Sequence, residues 1–448
     1  MTSAAMPFLD ELRWRGMLHQ HTEGAAEALA RPTAVYCGFD PTADSLHVGN
    51  LIPVMGLVHA QRAGHRPVVL VGGGTGMIGD PGGRTSERQL LDIAQIDVNV
   101  EGIREQLMRF VDFSGPLGAK VVNNAAWLRE LHLVDFLRDT GKHFPINWML
   151  AKDSVASRLE GGISFTEFSY MLLQAYDFLE LNQRHGVTVQ LGGSDQWGNM
   201  LAGTELLRRA KGVDSHAVTF QLMTTSSGTK FGKSEAGAVW LDAEKTSPYQ
   251  FYQFWINQDD ADTPRWLRLF TLLNAEEVAG YEAGIVSAPA ARVAQRFLAR
   301  DVTRRVHGDL AAAAAEHVSD FLFGDLEPED LTVDALALLA REAPCTVATP
   351  EDVRETGVSG GPVAGGRFDV LKLLTVSGLA ASNGAAKRLL EQGGVSVNKK
   401  KLAASDRYVE SGGTQLRGGH IIVGKGKRDF ALVKIQQDDS PNRQSARG

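Results

Sequence analysis

The sequence of 448 residues contains very little cysteine: Cys37 and Cys345 are the only two. Two isolated thiols exclude a disulfide framework and a metal cluster held by cysteine thiolates. The chain also lacks an apolar run of the roughly 20 residues that a membrane-spanning helix needs. Its N-terminal segment carries Asp10, Glu11 and Arg13 and has no long apolar core, so we expect neither a signal peptide nor a membrane partner. The predicted location is the reducing cytoplasm.

A positive total charge is also missing, since the formal net charge is −7. The charge is, however, unevenly distributed along the chain. Residues 367–436 contain 13 lysines and arginines against 5 acidic residues, a local charge of +8. The last 12 residues are balanced, so the chain before residue 367 carries −15. A basic end on an acidic remainder indicates that this end meets a polyanion, although a solvated charged surface is the alternative.

Residues 33–71 alternate between strand-like and helix-like patterns. A short apolar segment at 33–39 predicts a strand, and a turn follows at 40–45. An apolar helical pattern then covers about 49–63, and residues 68–71 form a continuous apolar run typical of a buried parallel strand. A strand, a helix and a second strand in this order predict a βαβ unit. We therefore expect an α/β fold with a Rossmann-like parallel sheet.

The remaining chain is mostly helical in pattern until its composition changes near residue 344. Residues 125–190 indicate a helical insertion between two halves of the sheet, with a strand at 187–191. Proline, glycine, threonine and valine are frequent from 344 to 366, which is typical of a linker. The predicted parts are a catalytic domain at 1–240, an α-helical domain at 241–343, the linker at 344–366, a small α+β module at 367–436 and a disordered tail at 437–448.

Two short signatures suit the binding of a triphosphate. They are His47-Val48-Gly49-Asn50 and Lys230-Phe231-Gly232-Lys233-Ser234, which lie 183 positions apart. A histidine and backbone N–H groups at a helix start attract phosphate, and two lysines on a loop neutralise it from another side. The alternatives are a capping histidine and an exposed basic turn.

A glycine-rich loop at 74–79 matches the G-x-G-x-x-G fingerprint of dinucleotide-binding enzymes. That fingerprint requires a helix to begin within the glycines, so that its N-terminus meets the pyrophosphate. Here Asp80-Pro81-Gly82-Gly83 follows at once, and such a run breaks helices. The loop therefore favours close approach of a ligand to the backbone over a dehydrogenase, which stays an alternative.

A polar stripe follows the largely apolar helical segment at 165–181. Tyr170, Gln174 and Asp177 stand at positions i, i+4 and i+7, so they share one helix face. A phenol, an amide and a carboxylate together suit a small ligand with an ammonium at one end and a hydroxyl at the other. The alternative is a solvent-facing stripe on an amphipathic helix.

Several motifs in order resemble those of bacterial tyrosyl-tRNA synthetases, a family of class I aminoacyl-tRNA synthetases. The resemblance covers roughly residues 8–436, nearly the whole chain. A tryptophan-specific enzyme of the same class and an RNA-binding regulator with an inactive site remain as alternatives. The similar motifs are the stretch from Tyr36 to His47, Gly79-Asp80-Pro81, Gln174-Ala175-Tyr176-Asp177, Gly192-Gly193-Ser194-Asp195-Gln196-Trp197-Gly198-Asn199 and the loop at 230–234.

The resemblance implies a tyrosine–tRNA ligase that works in two steps. ATP and tyrosine would form tyrosyl-adenylate, Mg²⁺ would accompany the ATP, and no metal would be bound tightly by the protein. The tyrosine-binding residues it implies are Tyr36 and Asp177 for the phenolic hydroxyl, Asp80, Tyr170 and Gln174 for the α-ammonium, and Gln196 for the carboxylate. The residues it implies for the phosphates are Thr42, His47, Asn50, Arg84, Arg88, Lys230 and Lys233, and for the rest of ATP Cys37, Gly38, Gly49, Gly193, Asp195, Phe231, Gly232 and Ser234.

Both signatures depart from the family pattern. The first usually ends in histidine, whereas this chain has Asn50, whose amide donates a hydrogen bond but carries no charge. The second has Phe231-Gly232 where the class pattern has Met-Ser, and Gly232 suits a mobile loop.

The C-terminal module resembles S4 RNA-binding domains. A basic helix with Lys387 and Arg388, a Gly393-Gly394 turn and a strand precede the run Lys399-Lys400-Lys401. These five cations are the predicted RNA contacts, through phosphates rather than bases. The resemblance also implies a homodimer with tRNA(Tyr) as partner and the insertion at 125–190 in the dimer interface.

Overall fold

The computed structural model describes residues 6–82, 90–152, 155–156, 159, 161–226, 228, 231–234, 237–355, 366–426 and 429–436, with the backbone alone at 233–234. Two compact units are present. The first comprises Met1–Ser247 and Phe254–Val306, and the second comprises Pro248–Gln253 and His307–Gly448. The predicted domain boundaries stay a prediction. Within the described part of the chain, no helix is both long and apolar enough to cross a membrane.

The first unit is built on a six-stranded sheet in which every neighbouring pair is parallel except the one at the Leu18–His21 edge. Strand Ala34–Phe39, helix Leu51–Arg62 and strand Arg66–Val71 form the predicted βαβ unit, and the α/β class is confirmed. The order across the sheet is Leu18–His21, His216–Phe220, Val187–Gly193, Ala34–Phe39, Arg66–Val71 and Lys120–Asn123.

Helices cover this sheet and fill the segment between its fourth and fifth strands in the chain. The predicted insertion contains several short helices and one long helix, Phe165–His185, which packs closely on Trp197–Lys211. The other helices of the first unit are Phe8–Arg15, Ala25–Ala28, Ile93–Leu107, Ala125–Leu128, Leu133–Asp139, Ile146–Leu150, Thr263–Phe270, Ala275–Ser287 and most of Val293–His307. Helix Pro248–Ile256 is shared by the two units.

The core lies where the long helix meets the sheet. Val68 and Val187 of the strands pack with Phe178 and Leu181 of the helix, and all four are 0% exposed. Such burial of apolar side chains is the main favourable term in folding. It holds the polar stripe of Phe165–His185 at a fixed position over the sheet.

The second unit holds a five-stranded sheet and the helices around it. The strand order is Lys400–Lys401, Val395–Val397, His420–Lys425, Asp429–Ile435 and Cys345–Ala348. The last pair is parallel, so the start of the predicted linker at 344–366 is built into this sheet by hydrogen bonds to a strand far along the chain. Arg367–Asp369 pairs with Tyr408–Glu410, and the helices are Asp309–Phe323, Val333–Glu342, Pro350–Val353, Val370–Val376, Asn383–Glu391 and Ser411–Thr414.

Candidate active site

The sheet of the first unit brings several polar side chains to one edge. Asp40, Asn124 and Ser194 each directly follow the carboxyl end of a parallel strand. The chain order of the strands reverses between Ala34–Phe39 and Val187–Gly193, which makes this point a topological switch. Open α/β sheets bind ligands in the crevice outside such a point. The carboxyl edge is therefore the candidate site.

Tyr36 and Asp177 lie together at the bottom of this site. The Tyr36 side chain is 1% exposed, and its hydroxyl has no hydrogen-bond partner among the described residues. The Asp177 carboxylate accepts hydrogen bonds from Trp127 Nε1 at 2.7 Å and from Asn124 Nδ2 at 2.9 Å. A buried hydroxyl without a partner costs free energy unless a ligand supplies one. The pair therefore suits a ligand hydroxyl.

Burial has the largest effect on the pKa values of Tyr36 and Asp177. It raises the pKa of Asp177 to about 8, although the hydrogen bonds from Asn124 and Trp127 act in the opposite direction. Burial, together with the nearby Asp177 carboxylate, also raises the pKa of Tyr36 well above its ordinary value. Desolvation disfavours the charged form of each group. Burial therefore favours the protonated form of both groups when no ligand is bound.

Tyr170 is linked to Asp177 by a chain of hydrogen bonds. Its hydroxyl donates to Asp40 Oδ2 at 2.7 Å, and Thr75 Oγ1 donates to Asp40 Oδ1 at 2.7 Å. Asn124 Nδ2 lies 2.9 Å from Thr75 Oγ1 and donates to Asp177 as well. Asp40, Thr75 and Asn124 were not among the predicted site residues. Their signal in the sequence is their position just after strands of a parallel sheet.

Asp80 and Gln196 meet at the same edge. Gln196 Nε2 donates to Asp80 Oδ2 at 2.5 Å, and the Gly82 backbone donates to Asp80 Oδ1 at 2.9 Å. Asn199 Nδ2 in turn donates to Gln196 Oε1 at 3.2 Å. Asp80, which is predicted to hold the ammonium of the ligand, thus contacts Gln196, which is predicted to lie near the carboxylate of the ligand.

Two glutamines, on the long helix Phe165–His185 and on the strand Val187–Gly193, present oxygen atoms that are buried without a partner among the described residues. They are Gln174 Oε1 and Gln190 Oε1. Gln190 was not predicted; it pairs in register with Tyr36 on the neighbouring strand. Because Tyr170 and Asp177 are also buried, the solvent-facing alternative for the helix stripe is wrong.

The first signature forms its own capping arrangement at the start of helix Leu51–Arg62. The His47 ring accepts a hydrogen bond from Gly49 N at 3.0 Å, and Asn50 Oδ1 accepts one from His47 N at 3.0 Å. Such reciprocal bonds satisfy backbone donors at a helix start. Asn50 therefore uses its side-chain oxygen within the protein.

The second signature contacts the first in space. Val48 N donates to Val239 O at 2.9 Å, and Val239 N donates to Gly232 O at 3.3 Å. Gly232 has φ 91° and lies so close that a Cβ atom there would be 3.0 Å from Val48 Cγ2. Glycine is the residue that tolerates both conditions. Strand Lys233–Ser234 then pairs with Gly237–Ala238.

The predicted phosphate-binding cations fall mostly outside the description. Lys230, Arg84 and Arg88 lie outside the described residues, and of Lys233 and Ser234 only the backbone is described. Thr42 is exposed at the edge of the site, as are Gly38 and Asp195, while Gly193 is half-buried. Among the described residues, no group of three His, Cys, Asp or Glu side chains is arranged to hold a metal ion.

Phe231 and Cys37 direct their side chains into the protein. The Phe231 ring is 5% exposed and packs in an aromatic cluster, with its centroid 4.5 Å from that of Trp266 and 5.3 Å from that of Phe270. The predicted contact of Phe231 with ATP is therefore limited to its backbone. The Cys37 thiol donates to Gly38 O at 3.9 Å, and burial raises its pKa to about 12, which excludes a thiolate nucleophile at neutral pH.

The predicted RNA contacts of the second unit divide into two groups. All five are exposed, and Lys387 Nζ lies 3.8 Å from Glu391 Oε1 on its own helix. Lys399 Nζ instead donates to Leu326 O at 2.9 Å, and Lys400 Nζ lies 3.1 Å from Glu329 Oε1. Lys399 and Lys400 thus have partners in the segment 326–329, whereas Lys387 pairs within its own helix.

Two family models match the chain. Residues 28–324 match the family described as "tRNA synthetases class I (W and Y)". Residues 354–433 match "Tyrosine--tRNA ligase SYY-like C-terminal domain". The first match alone covers more than half of the chain.

Bacterial relatives match over nearly the whole chain. The tyrosine–tRNA ligase of Anaeromyxobacter dehalogenans strain 2CP-1 is 49% identical over 429 residues, covering 96% of this chain and 99% of its own. That of Roseiflexus castenholzii is 47% identical, covering 95% and 99%. That of Corynebacterium glutamicum is 48% identical, covering 96% and 100%.

Solved structures agree on the fold. A C-terminally truncated mitochondrial tyrosyl-tRNA synthetase from Aspergillus nidulans matches with a TM-score of 0.64 and 30% identity, covering 71% of this chain and 94% of its own. A tryptophanyl-tRNA synthetase from Encephalitozoon cuniculi has a TM-score of 0.50 at 13% identity, covering 68% and 87%, and shows the fold alone. The fold is thus shared by enzymes for two amino acids, whereas the full-length relatives are tyrosine–tRNA ligases.

Proposed function

Because the chain belongs to the class I aminoacyl-tRNA synthetases, and among them to the tyrosine–tRNA ligases, we propose that Tyr36 and Asp177 bind the phenolic hydroxyl of tyrosine. The enzyme activates L-tyrosine with ATP to tyrosyl-adenylate and pyrophosphate. It then transfers the tyrosyl group to the 3′-terminal adenosine of tRNA(Tyr). Membership of this family argues against a dehydrogenase and against an RNA-binding regulator with an inactive site.

The observation that supports the pocket assignment is the buried Tyr36 hydroxyl without a partner beside the Asp177 carboxyl. Tyrosine brings a hydroxyl that both donates and accepts a hydrogen bond. Phenylalanine would leave the buried Tyr36 hydroxyl without a partner and the Asp177 carboxyl without the hydrogen bond that the substrate hydroxyl supplies, which is an effective way to reject a close analogue. Selection for tyrosine therefore needs no further group at this end.

The other end of the pocket suits the amino-acid backbone. We propose that Asp80, Tyr170 and Gln174 hold the α-ammonium and that Gln196 lies near the carboxylate. The unpaired Gln174 Oε1 is an acceptor for an N–H group. The Tyr170 hydroxyl is already held by Asp40, which fixes the direction of its lone pairs. The ammonium would thus meet acceptors whose orientation is set before binding.

ATP would lie across the two signatures. Thr42, His47 and Asn50 would approach the phosphates from one side, and Lys230 and Lys233, with Arg84 and Arg88, from the other. The residues proposed for the adenosine part and the loop are Cys37, Gly38, Gly49, Gly193, Asp195, Gly232, Ser234 and the backbone of Phe231. The contact between Gly232 and Val48 supports a single phosphate site built from both signatures.

The chemistry needs no covalent enzyme intermediate. A carboxylate oxygen of tyrosine attacks the α-phosphorus of ATP, and the bond to pyrophosphate breaks. A ribose hydroxyl of the tRNA then attacks the activated carbonyl carbon, its proton is lost, and AMP leaves. Orientation and stabilisation of charge on the pyrophosphate account for such catalysis. Mg²⁺ bound with ATP would share that charge.

The proposed assembly is a cytoplasmic homodimer. The segment between strands Lys120–Asn123 and Val187–Gly193 exposes several large apolar side chains: Leu133 by 70%, Val134 by 74%, Ile146 by 59% and Phe165 by 76%. Monomeric proteins rarely leave such groups open, and a two-fold interface covers one copy with another. A second copy of this chain is the proposed occupant.

The amino-acid assignment is tested by pyrophosphate exchange into ATP with tyrosine, phenylalanine or tryptophan as the only amino acid. Tyrosine is expected to support rapid exchange, and the other two should give rates near background. Substituting Tyr36→Phe should lower the advantage of tyrosine over phenylalanine. Equal exchange with tryptophan, or an unchanged preference in the variant, would overturn the assignment.

A further inference from the structure

The turn that carries the lysine run is held rigidly. Asn398 and Lys399 have φ values of 47° and 60°, a region that residues other than glycine seldom adopt. Asn398 is 4% exposed, donates from Nδ2 to Thr414 O at 2.7 Å and accepts from Ile422 N at 2.9 Å. These hydrogen bonds hold the turn in its unusual backbone conformation, and they fix the direction of the Lys399 and Lys400 side chains.

Lys399 points at the loop after helix Asp309–Phe323. Its ammonium donates to Leu326 O at 2.9 Å and lies 4.5 Å from the centroid of the Phe321 ring. A carbonyl near a helix C-terminus and an aromatic face both favour a cation. Lys399 is therefore bound by the helical part of its own unit.

Lys400 forms an ion pair with the same region. Its Nζ atom lies 3.1 Å from Glu329 Oε1, and the side chains are 77% and 48% exposed. Hydrogen bonding to its own backbone, and then to Lys400, lowers the pKa of Glu329. An exposed pair contributes little to stability but still selects one arrangement over others.

We propose that Lys399 and Lys400 act as positioning residues, holding the C-terminal module against the segment 321–329 of its own unit instead of contacting RNA. This inference rests on the proposed function, the charging of tRNA(Tyr), and on the predicted binding of RNA by the C-terminal module. Arg388 on the basic helix and Lys401 at the next strand position are left for phosphate, whereas Lys387 lies 3.8 Å from Glu391 on its own helix. Arg388, together with Lys425, lines a groove of about 420 Å³ on the module. The contacts of Lys399 and Lys400 thus fix the direction in which that surface faces the tRNA.

The test is a charge exchange at the exposed pair in the full-length enzyme. The variants are Lys400→Glu, Glu329→Lys and the two combined, with Lys401→Glu and its combination with Glu329→Lys as matched controls. The measurements are kcat/KM for tRNA in aminoacylation and tyrosine-dependent pyrophosphate exchange, which needs no tRNA.

Each single change at the pair should lower kcat/KM for tRNA about two- to fivefold, the scale of an exposed ion pair turned repulsive. The combined variant should recover to within about twofold of wild type, because the pair forms again with reversed charges. Glu329→Lys should not rescue Lys401→Glu.

A direct RNA contact predicts a different pattern. Lys400→Glu would then stay impaired in the combined variant, and Glu329→Lys alone would leave tRNA use unchanged or improved; either result overturns the proposal. Absence of tyrosine-dependent exchange in the wild-type enzyme would instead refute the proposed function. Circular dichroism of each variant separates both outcomes from a failure to fold.

Discussion

Asp177 is the residue at which burial and hydrogen bonding oppose each other most clearly. Burial raises its pKa to about 8, while Asn124 and Trp127 favour its charged form. A charged carboxylate accepts a hydrogen bond from a phenol more strongly than a neutral carboxyl does. Tyrosine should therefore bind better to the deprotonated form and lower the pKa of Asp177 when bound.

We accordingly expect tyrosine affinity to rise as the pH increases from 6 to about 8 and then to level off. Asp177→Asn should lower the affinity about tenfold or more at pH 8.5, because a charged hydrogen bond is lost, and should remove the rise with pH. Fluorescence titration of both proteins at several pH values measures this. Since both bind the same substrate, ionisation of tyrosine itself cancels, and an equal pH slope in the variant would contradict the assignment.

Asn50 combines two tasks that substitution can separate. Its oxygen accepts a hydrogen bond from His47 N, and its amide nitrogen is the proposed donor to a phosphate or ring oxygen. Asn50→Asp keeps the acceptor and removes the donor, whereas Asn50→Ala removes both. We expect the Asn50→Asp variant to keep the thermal unfolding midpoint of the wild type but to form adenylate more slowly. The Asn50→Ala variant should have both a lower midpoint and a lower adenylation rate. A fast Asn50→Asp enzyme in single-turnover assays would leave Asn50 with a capping role only.

At the scale of the element, the ring of Phe231 packs the loop of the second signature against the first unit. Phe231 is packed against rings from two helices, Pro248–Ile256 and Thr263–Phe270, and the next residue touches the first signature. Removal of the ring would leave the loop without this attachment. Its position relative to Val48 and Gly49 would then be less well defined.

Phe231→Ala should therefore lower the rate of adenylate formation by about tenfold or more while tyrosine affinity stays within about twofold, since misplaced groups affect the transition state most. Phe231→Met, which keeps most of the volume, should recover most of the rate. Rapid-quench measurement of adenylate formation and equilibrium tyrosine binding provide the comparison. A parallel fall in affinity would mean that the ring supports the whole unit and not the loop.

At the scale of the whole molecule, the exposed apolar side chains of the insertion are the proposed dimer interface. Replacing Leu133 and Val134 together by lysine should convert a dimer into a monomer, because two charges would be buried without partners. Sedimentation velocity measures the change. Val286→Lys is the matched control, since Val286 is 85% exposed but lies on helix Ala275–Ser287. A wild-type monomer, or a dimer that survives the double substitution, would contradict the proposed interface.

The elements of the fold were largely predictable because their signals are local. The strands Ala34–Phe39 and Arg66–Val71 and the helix between them follow directly from apolar runs and proline placement. The stripe Tyr170, Gln174 and Asp177 follows from helical spacing alone. The strand Cys345–Ala348 was missed because its partner, Asp429–Ile435, lies about 80 residues later and leaves no local sign.

The sequence by itself determined the class of fold, the order of the motifs and the chemical character of each candidate site. Only the tertiary structure decided how these groups are used: Asp40 holds Tyr170 from 130 positions away, and Asn124 joins Thr75 to Asp177. It also directed Phe231 into an aromatic cluster and Lys399 and Lys400 onto their own unit. The physical reason is range. Periodicity and turn chemistry act over a few residues, whereas hydrogen bonding and burial depend on which distant segments meet.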